Sequence, residues 1–377
     1  MKTLAIIINY RSAHLTRNAV KSILESDRFG SIQIVVVDNS CDESEAARLR
    51  EMLPGEAALW VNSENLGFGR ACNQVFRAYP SDHVLLLNPD AILLPGCLQQ
   101  LQQALMRHDG LGAVGPQIFW DDGLEYYLPP SYPDLFLWIH PLFSGLKSRL
   151  LSDCWRLFAV RVWKARRSVR VLNLSGGHVL IRRKAAEAAG GLFDPAFFLY
   201  YEDTDLFVRI RQAGYALRVI PGAKVVHYYD QCDQKNWKNK RQLMTEAHHL
   251  YIRKHCNGWK KSLSDITRRI TVRYSGNTFA EKPPCYHAAF TVNIPEPLRK
   301  GWLFEWSPNS DFIPSIGKFG TGPMMLFPEK MWRMLAPGRY YGRIGNRGGM
   351  PGAYPVFSWI IEESENHLGC EELHHGD

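Results

Sequence analysis

Four short apolar runs, each followed at once by polar residues, constrain this chain more than any other feature. They are Leu4–Ile8, Ile32–Val37 (broken only by Gln33), Leu59–Val61 and Val84–Leu87. An unbroken apolar run of strand length reads as a strand buried on both faces, because a strand with one wet face alternates instead. Between the runs the spacing becomes helical. Leu15, Ala19, Ile23 and Leu24 follow the first, a helix near Glu43 to Met52 follows the second, and another starts near Gly69. Strands alternating with helices predict a three-layer α/β domain around a parallel sheet. Such sheets bind ligands beyond the carboxyl ends of their strands. Asn9-Tyr10-Arg11, Asp38-Asn39 and Asn88-Pro89-Asp90 all fall there, so three polar clusters share one rim.

Each cluster has an ordinary reading beside a functional one. Asp38, directly after a strand, can accept from a base N–H or a ribose hydroxyl, or simply cap a helix. Asn65-Leu-Gly67-Phe68-Gly69, followed by Arg70 and Asn73, is a glycine turn whose backbone N–H groups can approach a ligand closely. It lacks both the Walker ending and the full dinucleotide fingerprint. Asp90 stands on a proline-stiffened loop two residues past a strand. A Mg²⁺ or Mn²⁺ ion needs only one or two protein carboxylates when phosphate oxygens complete its shell; Asn, Pro and Asp are also common turn residues.

A second acidic cluster lies farther on. Glu202, Asp203 and Asp205 follow the aromatic run Phe197–Tyr201, and Leu206, Phe207, Ile210 and Ala213 then repeat at helical spacing up to Gly214. Carboxylates at a helix mouth stay ionised with help from the helix dipole and can take a proton from a hydroxyl; capping alone is the bland alternative. Ahead of them, Ser175-Gly176-Gly177 allows a close backbone approach and Val179–Ile181 reads as a strand. Behind them, Ala216–Ile220 reads as a strand, Pro221-Gly222 as a turn, and Val225-Val226-His227 brings an imidazole to a strand end.

Chain length and composition bound the rest. A chain of 377 residues accommodates two domains, and 22% charged residues describe a globular protein. The net charge of +8 suits an anionic partner such as a nucleotide-sugar or an acidic lipid surface. No nucleic-acid motif accompanies it, so no nucleic-acid partner is expected. The cysteines are dispersed without metal, redox or disulfide spacing, which favours a reducing compartment. Leu4–Ile8 is too short for a signal-peptide core and no run reaches bilayer length, so a cytoplasmic protein is expected, with any membrane contact peripheral on the inner face of the plasma membrane.

Residues 121–170 mix tryptophans, aliphatics and arginines, as in Leu135–Ile139 and Trp155–Arg167. This fits an acceptor- or membrane-facing insert touching anionic lipid, or a helix packed on the domain with a basic outer face. Residues 234–262 read as a basic helix, with Leu243, Ala247, Leu250 and Tyr251 on one face. Its Lys235, Lys238, Lys240 and Arg241 either screen phosphates or are solvated. Pro283-Pro284 marks a linker, dividing the chain into residues 1–277 and 278–377. Short segments broken by Gly and Pro follow: Ala288–Val292, Trp302–Trp306, Met324–Phe327, Arg339–Ile344 and Val356–Ile361. They predict a small antiparallel β-sandwich, faintly similar to fibronectin type III domains. Its aromatics form a core, or bind polysaccharide, a partner or a second copy of the chain in a homo-oligomer. The tail from Glu362 reads as polar and frayed.

In order, IIINYRS, VVVDNS, NLGFGRACN, LLLNPDA, SGGHVLIRR, GLFDPAFFLYYEDTDLFVRIRQAG and VVH resemble the inverting glycosyltransferases of family 2, which have the GT-A fold. The match covers residues 4 to 260 and is most similar to bacterial rhamnosyltransferases of O-antigen, lipopolysaccharide and related cell-surface polysaccharide synthesis. The resemblance implies a donor site at Asn9, Tyr10, Arg11, Asp38, Asn65, Gly67, Phe68, Asn73, Asn88 and Asp90. It implies Asp90 and His227 as ligands of Mg²⁺ or Mn²⁺, with Asn88 replacing the first Asp of a DxD motif. Asp203 would be the catalytic base beside Glu202, and Gly176, Gly177, Asp194 and Tyr201 would line the sugar and acceptor site. The implied reaction moves L-rhamnose from dTDP-L-rhamnose to a glycan or polyprenyl-diphosphate-linked acceptor. Another nucleotide-sugar, such as UDP-galactofuranose or a UDP-hexose, and a non-catalytic glycan-binding protein stand as alternatives.

Overall fold

The structure is a computed structural model that describes residues 1–132, 146–228, 237–255, 284–348 and 356–362. The readings of Leu135–Ile139, of the Lys235, Lys238, Lys240 and Arg241 side chains, of the linker before Pro284 and of the tail beyond 362 lie outside the described residues. The chain divides into two compact units.

The first unit opens as the sequence predicts. It comprises β1 (Lys2–Asn9), α1 (Ala13–Glu25), β2 (Ser31–Asp38), α2 (Glu43–Met52), β3 (Ala57–Val61), α3 (Phe68–Ala78) and β4 (His83–Leu87). It continues with β5 (Ala91–Leu93), α4 (Cys97–Arg107) and β6 (Leu111–Phe119). β7 (Tyr126–Tyr127) and α5 (Leu146–Trp163) belong to the second unit, after which β8 (Val169–Val171), β9 (His178–Arg182), α6 (Arg183–Ala188), α7 (Glu202–Gln212), β10 (Ala216–His227) and α8 (Trp237–His255) complete the first. Its sheet runs β3-β2-β1-β4-β9-β6, with β10 on β6. The apolar runs are continuous because both faces are covered. Ala5, Ile7, Val36 and Leu85 join a core with Val20 and Ile23 of α1 and Leu98 and Leu101 of α4. The alternate residues Leu4, Ile6, Val35 and Leu86 are equally buried on the opposite face.

Two local expectations change. The sheet is mixed rather than wholly parallel: β9 lies antiparallel between β4 and β6, while β1, β2, β3 and β4 are parallel. Pro221-Gly222 does not turn the chain. β10 runs through it with a register shift against β6 between Ile220 and Lys224, because a bulge absorbs residues that cannot keep the ladder. Among the described residues no helix is long and apolar enough to cross a membrane.

The second unit contains Trp120–Pro130, α5 and the described residues from 284 on. Its strands are β7, β11 (Cys285–Tyr286), β12 (Phe290–Asn293), β13 (Trp302–Ser307), β14 (Ile316–Gly320), β15 (Met324–Phe327), β16 (Gly338–Asn346) and β17 (Val356–Ile361), with α9 (Glu329–Arg333). One sheet is ordered β11-β17-β16-β13-β14-β7, and β12 pairs with β15 in a second. Phe290 and Phe327 of the small sheet meet Phe304, Phe357 and Trp359 of the large one, with ring centroids 5.2–6.2 Å apart. The strand cluster of the last third is therefore present. It also takes in β7, α5 and a parallel β11–β17 pair, none of which the fibronectin-like reading or the boundary at 277/278 included.

In residues 155–163 the two tryptophans and Arg156 follow the packed-helix alternative. Trp155 and Arg156 are fully buried and Trp163 nearly so. Arg156 pairs with the buried Glu305, which Arg343 also grips with two bonds of 3.0 Å. Trp163 Nε1 donates to the Leu128 carbonyl at 2.9 Å. Tryptophan and arginine mixed on one helix look amphipathic in sequence; here their partners are core residues. The same holds for Trp302, Trp306 and Trp359, which are buried rather than displayed to a glycan or a second copy of the chain.

Candidate active site

The parallel pairing of β1 with β2 sets Asn9 directly beside Asp38. The Asn9 amide is used completely inside the protein. Its Nδ2 donates to Asp38 Oδ1 and Glu45 Oε1, both at 3.0 Å, and its Oδ1 accepts from Ser12 and Thr16. Asn9 is thus a brace for Asp38. Asp38 is fully buried; Oδ1 accepts from Asn9 and from the Ser40 N–H, while Oδ2 has no hydrogen-bond partner among the described residues. A buried carboxylate oxygen without a donor costs free energy unless a ligand supplies one. Tyr10 and Arg11 continue the rim, with Arg11 in the left-handed region (φ 53°) and its guanidinium 5.7 Å from the Tyr10 ring.

Asn39, next along β2, ties in the glycine turn. Its Nδ2 donates to Asn65 Oδ1 and the Gly67 carbonyl, and its Oδ1 accepts from Asn62 Nδ2 and the Leu66 N–H. Gly67 has φ 76°, and a Cβ there would collide with the Phe198 carbonyl. That close approach lets the Phe68 N–H donate to Phe198 at 3.0 Å. Asn73 clasps both backbone groups of Phe193, and the Phe68 and Phe193 rings stand 5.6 Å apart. Asn65, Gly67 and Asn73 therefore hold the turn together and to the aromatic loop.

Ser175–His178 joins the two acidic clusters. The Asn88 N–H donates to the Gly177 carbonyl at 2.7 Å, and the Gly176 N–H donates to Asp203 Oδ2 at 3.0 Å. A Cβ on Gly177 would stand 2.7 Å from Asn88 Nδ2, and one on Gly176 3.0 Å from the Asp203 Cβ. Both glycines are needed for these approaches. Asp90, two residues past Asn88, is buried with Oδ1 3.1 Å from His227 Nε2. The His227 ring packs against His178, 5.3 Å away. Burial, reinforced by His227, pushes the His178 pKa down to about 3. Asn88 and Asp203 thus flank one dipeptide.

At the mouth of α7, the N-cap position is Tyr201, so neither Glu202 nor Asp203 is a cap. Tyr200 and Tyr201 are both left-handed (φ 72° and 64°). Asp203 is half-buried; Oδ1 accepts from the Thr204 N–H and hydroxyl, Oδ2 from Gly176. Burial raises its pKa, and those bonds pull it back. Glu202 has only its own backbone N–H to offset burial. Burial, then the neighbouring Asp203 charge, push its carboxyl up to about 8, and Oε2 has no hydrogen-bond partner among the described residues. The two adjacent carboxyls thus sit in different surroundings, Asp203 being the one whose charged form three hydrogen bonds favour. Asp194 accepts from the Ala196 N–H and from Lys254 at 2.5 Å.

A family model described as glycosyltransferase like family 2 matches residues 2–247. The chain belongs to this family. An N-acetylglucosaminyl-diphospho-decaprenol L-rhamnosyltransferase of Mycobacterium tuberculosis is 26% identical over 262 residues, spanning 65% of this chain and 82% of the relative. The rhamnosyltransferase WbbL of Escherichia coli K12 is 24% identical over 57% of this chain and 81% of its own length. Among solved structures, the mannosyltransferase PcManGT of Pyrobaculum calidifontis, in complex with GDP-Man and Mn2+, has a TM-score of 0.45 at 15% identity, covering 73% of this chain and 76% of that one. As a family 2 glycosyltransferase the chain has a GT-A-like α/β fold and a nucleotide-sugar-dependent transferase activity, with a glycan or lipid-linked acceptor typical of the family.

The family site contains residues that sequence reasoning passed over. Glu45 braces the rim, His178 packs on His227, and Thr204 bonds Asp203. Only His178 carried a signal, standing directly after the paired glycines. Among the described residues no group of three or more His, Cys, Asp or Glu could hold a metal ion.

Proposed function

We propose that the chain is an inverting transferase that moves L-rhamnose from dTDP-L-rhamnose to a glycan or polyprenyl-diphosphate-linked acceptor of cell-surface polysaccharide synthesis, with Asp203 as general base. The observation that carries this is the bridge through Gly176-Gly177, which sets an ionisable, half-buried carboxylate beside the Asn88–Asp90 loop. The rhamnosyl donor is favoured because the relatives described above from Mycobacterium tuberculosis and Escherichia coli are both rhamnosyltransferases.

In this reading Asp38 receives a base or ribose donor on its unpartnered Oδ2, with Tyr10 and Arg11 beside it. Asn9, Asn65, Gly67, Phe68 and Asn73 shape the pocket through the bonds described above. Asn88 and Asp90 face the diphosphate, and Gly176, Gly177, Asp194 and Tyr201 frame the acceptor side. Asp203 takes the proton of an acceptor hydroxyl. That oxygen bonds to the anomeric carbon as its bond to the nucleoside diphosphate breaks on the opposite face, and the configuration inverts.

Asp90 and His227 fit a divalent cation. Their 3.1 Å separation is close to the ~3.0 Å between neighbouring ligands of an octahedral ion with bonds of about 2.1 Å. Two protein ligands leave the remaining positions to phosphate and water, and the ion when bound supplies positive charge to the leaving diphosphate. The test is turnover of dTDP-L-rhamnose with Mg²⁺ or Mn²⁺ by the purified protein. Asp203→Asn is expected to lose about 10²–10⁴-fold in kcat with dTDP binding retained. Wild-type turnover in that variant would remove Asp203 from the role, and turnover of a UDP-sugar alone would replace the donor.

A further inference from the structure

Asp205 is an acidic residue of the Glu202–Asp205 cluster that takes no step in the proposed reaction, yet it is the most heavily partnered of them. It is fully buried. Oδ2 accepts from Arg209 at 2.8 Å; Oδ1 accepts from Lys254 at 2.7 Å and lies 2.8 Å from His255 Nε2. Burial alone would raise its pKa, but these three partners outweigh that and hold it at about 2. An ionised carboxylate only accepts, so Nε2 of His255 carries a proton.

These partners reach other elements. Lys254 also binds Asp194 at 2.5 Å, and Arg209 donates to the carbonyls of Ala189, Gly191 and Leu192. The same face of α8 backs the turn before α7, where Tyr201 lies 5.4 Å from His248 and 5.6 Å from Tyr251. That turn has two successive left-handed non-glycine residues and no side-chain cap. Such strain persists only where the surroundings over-determine it. Asp203 and Asp205 project about 200° apart around the helix. One is held by Gly176, the other by α8.

We propose that Lys254 and His255 form a latch on Asp205 and Asp194 that sets the first turn of α7, making them positioning residues for Asp203. The latch rests on the reading of Asp203 as base. It makes α8 part of the catalytic apparatus although the helix supplies no reacting group.

The test uses the full chain with Lys254→Met, His255→Leu and the double variant, and Lys254→Arg as the charge-conserving control. Two readouts separate the latch from the donor assignment. Amide hydrogen exchange needs no substrate; the double variant is expected to quicken exchange across 199–206 while β1 and β4 keep their protection. In turnover of dTDP-L-rhamnose, kcat is expected to fall about tenfold in Lys254→Met and about 10²-fold in the double variant. KM and calorimetric dTDP affinity should stay within about twofold, and Lys254→Arg should recover most of the rate. Unchanged exchange at 199–206, or kcat and dTDP affinity falling together, overturns the latch. A wild-type protein inert toward dTDP-L-rhamnose overturns the donor assignment instead, and the exchange result then decides the latch alone.

Discussion

Glu202 and Asp203 are neighbours in sequence with opposite surroundings. Asp203 receives three hydrogen bonds, whereas Glu202 is buried with one oxygen unpartnered. A carboxyl whose folded pKa is about 8 against an ordinary 4.5 binds more protons folded than unfolded between those values. Stability is then lost as pH rises through that window, on the order of a few kcal/mol in total. Glu202→Gln, which keeps the shape and removes the ionisation, should flatten the fall of melting temperature between about pH 5 and 8. An unchanged slope would show that Glu202 is already ionised in the folded protein. The raised Asp203 pKa has a kinetic counterpart: the acid limb of kcat should lie above the ordinary carboxylate range. At this scale the sequence revealed the acidic pair, and the family resemblance pointed to Asp203 as base; the differing surroundings of the two carboxyls were not legible, because they depend on which one the Gly176 and Thr204 groups reach.

Ser175–His178 is the element on which the site turns. It leads into β9, the antiparallel strand between β4 and β6, and so passes between the end of β4 and the mouth of α7. Gly177→Ala should push Asn88 aside and lower kcat by about 10–10²-fold, since displacements near 1 Å at a reacting centre have that effect. Gly110→Ala, where a Cβ meets nothing within 4 Å, serves as the neutral control in the same kinetic assay. Equal activity of the two variants would contradict the role of Gly177. The paired glycines were legible as a place of close approach. What they approach was not, because Asn88 lies 89 residues before Gly177 and Asp203, in the first turn of α7, 27 residues after Gly176.

Across the whole molecule, the second unit is assembled from separated stretches of chain. Arg156, on a helix from the first half, meets Glu305 and Arg343 from the last third in a buried cluster. Removing the one carboxylate leaves two guanidinium groups facing each other without it, and breaking a buried pair this way costs about 3–5 kcal/mol. Glu305→Gln should therefore lower the unfolding midpoint of this unit markedly in a denaturant titration. A loss below about 1 kcal/mol would mean that solvent already screens the cluster.

The continuous apolar runs by themselves determined the alternation of strands and helices, the rim on which Asp38 and Asp90 stand, and the ordered motifs of a family 2 glycosyltransferase. These are local patterns, written in the spacing of neighbouring residues. Tertiary structure alone decided that β9 enters antiparallel, that Asn9 braces Asp38 and Asn73 clasps Phe193, that Trp155 is core, and that α8 grips Asp205. Each of those outcomes depends on which distant group occupies the space beside a side chain, and a hydrogen-bond donor or an apolar neighbour brought from far along the chain leaves no periodic mark in the sequence.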